Sequence, residues 1–154
     1  ATFSETNINE LLDEVINICS KEYKKKDVAI FVSFESEAVN ILCDKELLRI
    51  VLLNIVKNAY DSIDTKGEIR ISTKRIKDFK LNNKNLLQIN IEDSGQGIKE
   101  TEINKVFQPF YSTKKNGQGI GLFLSQKIIN KFGGFIEAHS KTNGVVFRIY
   151  IPAN

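Results

Sequence analysis

Asn54-Ile55-Val56-Lys57-Asn58-Ala59 sits inside a run from Asp44 to Asp64 whose reading decides the fold. Ile50, Val51, Leu52, Leu53, Ile55, Val56 and Ala59 make this run apolar almost all round, which predicts a buried helix capped at Asp44. Yet Asn54, Asn58 and Asp61 recur at i, i+4 and i+7 and therefore stack on one face. Polar groups in a buried stripe need partners, because each unpaired one costs about 1–3 kcal/mol. A hydrated Mg²⁺ is one such partner: it takes oxygen ligands and shares them with phosphates. An asparagine oxygen suits it without adding negative charge.

Outward from this helix, the chain reads as alternating elements. Residues 6–23 carry Ile8, Leu11, Leu12, Val15, Ile16 and Cys19 at helical spacing, with Ser4 or Thr6 as the expected cap. Val28–Phe34 and Val39–Cys43 read as strands, followed after the long helix by Glu68–Arg75 and Leu86–Glu92 with a hairpin connection over 77–85. Residues 93–118 contain glycines and Pro109 but no long periodic run, a functional-looking connection with one short helix at 99–106. Ile120–Phe132 is helical and stops at Gly133-Gly134. Phe135–Ser140 and Val145–Ile151 form a last hairpin around Asn143-Gly144. The order predicts an α+β chain: a two-layer α/β sandwich with a mixed, mostly antiparallel sheet covered by helices on one face.

Two further segments carry chemistry. Asp93-Ser94-Gly95-Gln96-Gly97-Ile98 follows directly on a strand. A carboxylate there can accept a hydrogen bond from an amino group such as adenine N6, and the glycines let the backbone approach a flat ring. It is not an EF-hand loop, which needs alternating acidic ligands and a closing Glu. Gly117-Gln118-Gly119-Ile120-Gly121-Leu122 opens a helix with GxGxG spacing, leaving N–H groups to cradle phosphate oxygens. The spacing fits neither a Rossmann GxGxxG nor a P-loop. Between the two, Phe107 and Phe110 are expected to pin a lid to the body, with Lys114 and Lys115 beside the glycines.

The bulk numbers agree. The 154 residues make one domain, with 42% hydrophobic residues for a core. The net charge of +3 implies neither nucleic-acid binding nor direct membrane contact. Lys74, Arg75, Lys77, Lys80 and Lys84 are interleaved with asparagines and read as a solvated loop. Cys19 and Cys43 are isolated and read as buried thiols in a reducing compartment. No run approaches the roughly 20 apolar residues of a membrane span, and the polar, acidic start lacks a secretory pattern. A cytoplasmic location is expected, with a membrane anchor elsewhere in a longer parent left open.

Taken in this order, the segments resemble the ATP-binding catalytic domain of sensor histidine kinases, in the gyrase, chaperone, kinase and MutL superfamily, nearest the nitrogen-regulation type. The asparagine box falls at Asn54 and Asn58, the first glycine box at Asp93, Gly95 and Gly97, the phenylalanine box at Phe107, Pro109 and Phe110, and the second glycine box at Gly117, Gly119 and Gly121. The resemblance covers nearly the whole chain and implies a Bergerat-type ATP-binding fold. It implies that ATP and Mg²⁺ are bound, that Asn58 is the metal ligand with Asn54 supporting it, and that Asp93 binds adenine. Asp61, Gly95, Gly97, Ile98, Phe110, Thr113, Gly117, Gly119, Ile120, Gly121 and Leu122 would complete the nucleotide site. Lys114 would meet the terminal phosphates and, with Asn54, serve catalysis. Two departures stand out: Val145 and Gln118 occupy positions where the family commonly has Thr.

The implied reaction is transfer of the terminal phosphoryl group to a histidine on a separate helical dimerisation domain of the same parent, with a response regulator downstream. The only histidine, His139, lies in the closing strand without the acidic neighbour and helical context expected of an acceptor, and reads as structural. The chain is therefore expected to be a single ATP-binding catalytic domain without its acceptor helices. Two alternatives stay open: a non-catalytic nucleotide-binding regulatory module, and a protein-serine kinase of the anti-sigma-factor type.

Overall fold

The computed structural model describes residues 2–35, 39–78, 82–111 and 121–153. In chain order the elements are β1 (Ser4–Asn7), α1 (Ile8–Glu22), β2 (Asp27–Ser33), β3 (Asn40–Cys43), α2 (Lys45–Ser62), β4 (Lys66–Asp78), β5 (Lys84–Asp93), α3 (Glu100–Ile103), α4 (Gly121–Lys131), β6 (Phe135–Ser140) and β7 (Val145–Pro152). The main sheet has five strands in the order β2-β4-β5-β7-β6. The β2–β4 pair is parallel and the other pairs are antiparallel. The mixed, mostly antiparallel two-layer arrangement expected from the sequence is the one observed.

Period-two alternation assigns the two faces of the sheet. Ile69 and Ile71 of β4, Leu87, Ile89 and Ile91 of β5, and Phe147, Ile149 and Ile151 of β7 point into one core with Leu11, Leu12 and Val15 of α1, Leu52, Ile55 and Val56 of α2, and Ile129 of α4. Each fully buried aliphatic side chain of this kind contributes about 1.5–3 kcal/mol of transfer free energy. The opposite face is polar and laddered. Asn90 Nδ2 donates to Ser72 Oγ (3.3 Å), Arg148 Nε to Asn90 Oδ1 (3.1 Å) and Gln88 Nε2 to Tyr150 OH (3.0 Å).

The element boundaries refine the sequence reading in three places. Helix α1 starts at Ile8, because Ser4–Asn7 pairs antiparallel with Asn40–Cys43 and draws the expected first turn into a strand. Its cap is Asn7, whose Oδ1 accepts from Glu10 N at 3.1 Å, and not Ser4 or Thr6. The β4–β5 strands run further into the hairpin than expected, with Asn82 and Asn83 in left-handed backbone. Helix α2 ends at Ser62 rather than Asp64. At its start, Asp44 Oδ1 accepts from Glu46 N (3.0 Å) and Leu47 N (3.2 Å), the expected cap.

The far end of α2 has no basic residue in its last turn. The cation comes instead from Lys26, in the turn between α1 and β2. Its Nζ donates to Tyr60 O at 2.8 Å and Ile63 O at 2.7 Å. Tyr23 stacks on Tyr60 with ring centroids 4.7 Å apart. A cation on helix C-terminal carbonyls satisfies orphan acceptors and complements the dipole. Lys26→Met is expected to lower the unfolding free energy by about 1–3 kcal/mol, with Lys26→Arg recovering most of it. Urea denaturation checks this; an unchanged midpoint for the Met variant would show that water serves the two carbonyls equally well.

Candidate functional site

The site is built along the second half of α2, which carries polar groups on one face, meets α4 near its middle and meets the loop after β5 at its C-terminal end. Asn54 and Asn58 are half-buried on this face, while Asp61 is exposed and accepts from the Tyr23 hydroxyl at 2.8 Å. The stripe is thus less buried than its apolar flanks suggest, and its last member is engaged by α1. From Asn54 to Ser62 the helix rises about 12 Å.

At the C-terminal end stands Asp93, the last residue of β5, with 4% exposure. Its Oδ1 accepts from Gly95 N at 2.9 Å. The Val145 N–H and the Ser62 hydroxyl also support the carboxylate, but burial dominates and holds its pKa above the ordinary value. The backbone after it is tied down from two elements, α2 and β6. Gln96 N donates to Ser62 O at 2.8 Å, and Ser140 Oγ donates to Ile98 O at 2.7 Å. A Cβ at Gly95 would overlap the Ser62 backbone, and one at Gly144 would overlap the Asp93 carbonyl. Gly97 differs: a Cβ there would meet only the Gly144 backbone, at 3.7 Å or beyond, among the described residues. Packing does not demand that glycine.

Near the middle of α2, Asn54 Nδ2 donates to Ser125 Oγ of α4 at 3.1 Å. A Cβ on Gly121, the first residue of α4, would overlap the Asn54 amide. Leu122 packs against the core edge. The structure therefore brings Asn54 together with Gly121, and Asp93 together with Gly95, at two levels of one helix face.

The lid reading is corrected in part. Phe107 does pack on the body, edge-on to Phe147 with centroids 6.2 Å apart, and Val106 beside it is buried. Phe110 does not pin anything: it is 79% exposed with φ +67°. Thr113, Lys114, Gly117, Gly119 and Ile120, with Lys115 and Gln118, lie outside the described residues. His139 is a strand residue, as expected, and is exposed. Glu137 Oε1 lies 3.3 Å from its Nε2, because residues i and i+2 share a strand face. Val145 is buried, and its backbone N–H, not its side chain, reaches Asp93. Sequence reasoning missed Ser125 and Ser62 because their partners are set by tertiary contact; the one signal was a serine on an apolar helix face.

Among the described residues, no group of three or more His, Cys, Asp and Glu side chains could hold a metal alone. The oxygen donors present, Asn54 and Asn58, suit a hydrated Mg²⁺ shared with phosphates and not an all-protein cage. No helix of the described residues is long and apolar enough to cross a membrane.

Comparison with known proteins places this geometry. A family model described as histidine kinase-, DNA gyrase B-, and HSP90-like ATPase matches residues 43–154. The signal transduction histidine-protein kinase AtoS of Escherichia coli (strain K12) is 35% identical over 153 residues, which cover 99% of this chain and 24% of AtoS. The sensory histidine kinase/phosphatase NtrB of Rhizobium leguminosarum bv. phaseoli is 30% identical over 157 residues, 96% of this chain and 41% of NtrB. The chain thus spans less than half the length of these curated relatives. The nucleotide-free catalytic domain of histidine kinase ThkA superposes with a TM-score of 0.86 at 31% identity, covering 99% of this chain and 96% of that one. ThkA is also solved in complex with the response regulator protein TrrA, where the match has a TM-score of 0.82 at 29% identity and covers 99% of this chain and 42% of that one.

Proposed function

The chain belongs to the histidine kinase-, DNA gyrase B-, and HSP90-like ATPase family, as a catalytic domain of the sensor histidine kinase type, and from that membership we propose that it binds MgATP and passes the terminal phosphoryl group to a histidine on a separate helical dimerisation domain of its parent. The observation that carries the reading is the buried Asp93 carboxylate at the end of β5, facing the foot of the asparagine-bearing helix. The adenine N6 amino group would donate to it. The Gly97 rim would let the ring lie against the backbone. Asn58 would ligate Mg²⁺ with Asn54 in support, and Lys114 would neutralise phosphate charge from the lid.

The chemistry asks little covalent work of this chain. The acceptor imidazole nitrogen attacks the γ-phosphorus, the bond to the β–γ bridging oxygen breaks, and ADP leaves with the negative charge. Bound Mg²⁺ supplies charge neutralisation at the phosphates. The chain's own residues would hold the base at the C-terminal end of α2 and the phosphates nearer its middle, which is positioning catalysis. A response regulator would take the group onward, as the ThkA–TrrA pairing suggests by analogy. The acceptor helices would lie elsewhere in the parent, and a cytoplasmic setting would supply ATP.

Calorimetry of ATP and ADP, with and without Mg²⁺, tests binding; a transfer assay with the parent's acceptor domain tests the chemistry. Micromolar binding and labelling of the acceptor histidine are expected, with His139→Ala fully active. Binding without transfer to the restored acceptor would favour a regulatory module. Labelling of a partner's serine would favour the serine-kinase reading.

A further inference from the structure

Ser125 is the one serine on the inward face of α4, with 1% exposure, among Ile128 and Ile129. A hydroxyl in such a place must find partners. It takes one from 71 positions away, accepting from Asn54 Nδ2 at 3.1 Å. The same Asn54 amide presses on Gly121, one helical turn earlier on α4, where any side chain would collide with Oδ1. Residues i and i+4 of one helix thus grip a single amide from both sides. An amide has two orientations related by a half-turn about its last torsion, and they exchange a donor for an acceptor. In the structure Nδ2 is turned toward Ser125, whose hydroxyl oxygen accepts from it, and Oδ1 is turned toward Gly121.

We propose that Ser125 is a positioning residue that fixes the Asn54 amide so that its carbonyl oxygen is presented at the phosphate end of the site. This rests on the MgATP reading above. Asn54 then serves as an oxygen acceptor beside Asn58, suited to a magnesium-bound water and unsuited to donating to a phosphate oxygen. It also ties the start of α4 to the asparagine-bearing face of α2 through this amide. Loss of the Ser125 hydroxyl lets the amide turn over, and the acceptor is no longer held in place.

The test is the magnesium dependence of ADP affinity, measured by calorimetry on the chain as it stands. For Ser125→Ala, the tightening of ADP binding by Mg²⁺ is expected to fall about tenfold, one hydrogen bond's worth, while the magnesium-free affinity stays within about twofold. Asn54→Ala should lose the same magnesium effect, and the double variant no more than either single one. Ser125→Thr, which keeps the hydroxyl, should restore it. An unchanged magnesium effect in Ser125→Ala overturns the inference, as does an equal fall with and without the metal, the mark of a merely structural residue. A parent chain that binds no nucleotide overturns the MgATP reading and this inference with it.

Discussion

Asp93→Asn is expected to remove ADP binding by at least about a hundredfold while the fold stands. The parent side chain is an acceptor held in place by donors: Gly95 N at 2.9 Å, with the Val145 N–H and the Ser62 hydroxyl. Its remaining lone pairs would meet the adenine amino group. An asparagine can satisfy Gly95 with its oxygen, but its NH₂ must then oppose either the Val145 N–H or the base. The binding loss combines a charge-assisted hydrogen bond, about 1.5–3 kcal/mol, with an unmatched buried donor, about 1–3 kcal/mol. Stability should respond differently, and its sign follows from linkage. Burial raises the Asp93 pKa above the ordinary carboxylate value. In the window between that value and the folded one, the native state holds more protons than the unfolded chain. The parent therefore loses stability as pH rises through the window, and the asparagine variant lacks that slope. The unfolding-temperature gap, variant minus parent, should shift in the variant's favour as pH rises above the ordinary carboxylate value. A gap moving the other way would sink the electrostatic account, and undiminished ADP binding would sink the adenine assignment.

Much of this site was readable from local pattern, and the residues show why. Asp44 caps α2 and Asn143-Gly144 turns the last hairpin because each acts on neighbours within a few positions. Asp93 and Gly95 were legible because a carboxylate and a tight turn at a strand end form a local motif. What escaped was set by contacts across the chain. Asn7 became the α1 cap only because Ser4–Asn7 pairs with Asn40–Cys43, and a four-residue strand without apolar alternation leaves no periodic signal. Lys26 belongs in sequence to a charged turn, yet its ammonium closes a helix more than thirty positions away. Ser125 looks like a neutral choice on a helix until Asn54 is placed beside it. Phe110 shows the converse: its place in an aromatic segment suggested an anchor, but Val106 and Phe107 fill that role.

Gly144→Ala should be the most destabilising single methyl in the site, and Gly97→Ala, on the facing loop, should be structurally silent. Gly144 has φ +104°, a conformation that L side chains rarely adopt, and its added Cβ would run into the Asp93 carbonyl. Neither partner can yield cheaply. The Gly144 carbonyl accepts from Lys141 N at 3.1 Å, and Asp93 ends a strand paired on both sides. Backbone strain and overlap together should cost about 3–5 kcal/mol, a large part of a total that is about 5–15 kcal/mol for a domain. Since the next residue's N–H supports the Asp93 carboxylate, the folded remainder should also bind ADP poorly. Gly97 has an ordinary φ, and its Cβ would rest 3.7 Å from the Gly144 carbonyl, a normal contact. Its alanine variant should unfold within about 0.5 kcal/mol of the parent. Its ADP affinity should nevertheless fall at least about tenfold, because the methyl stands on the rim where a flat ring would lie. Urea denaturation and calorimetry on the two variants separate the roles of these glycines. If Gly97→Ala binds ADP as the parent does, the rim does not line the adenine, and the base must enter against the Asp93 loop from its other side.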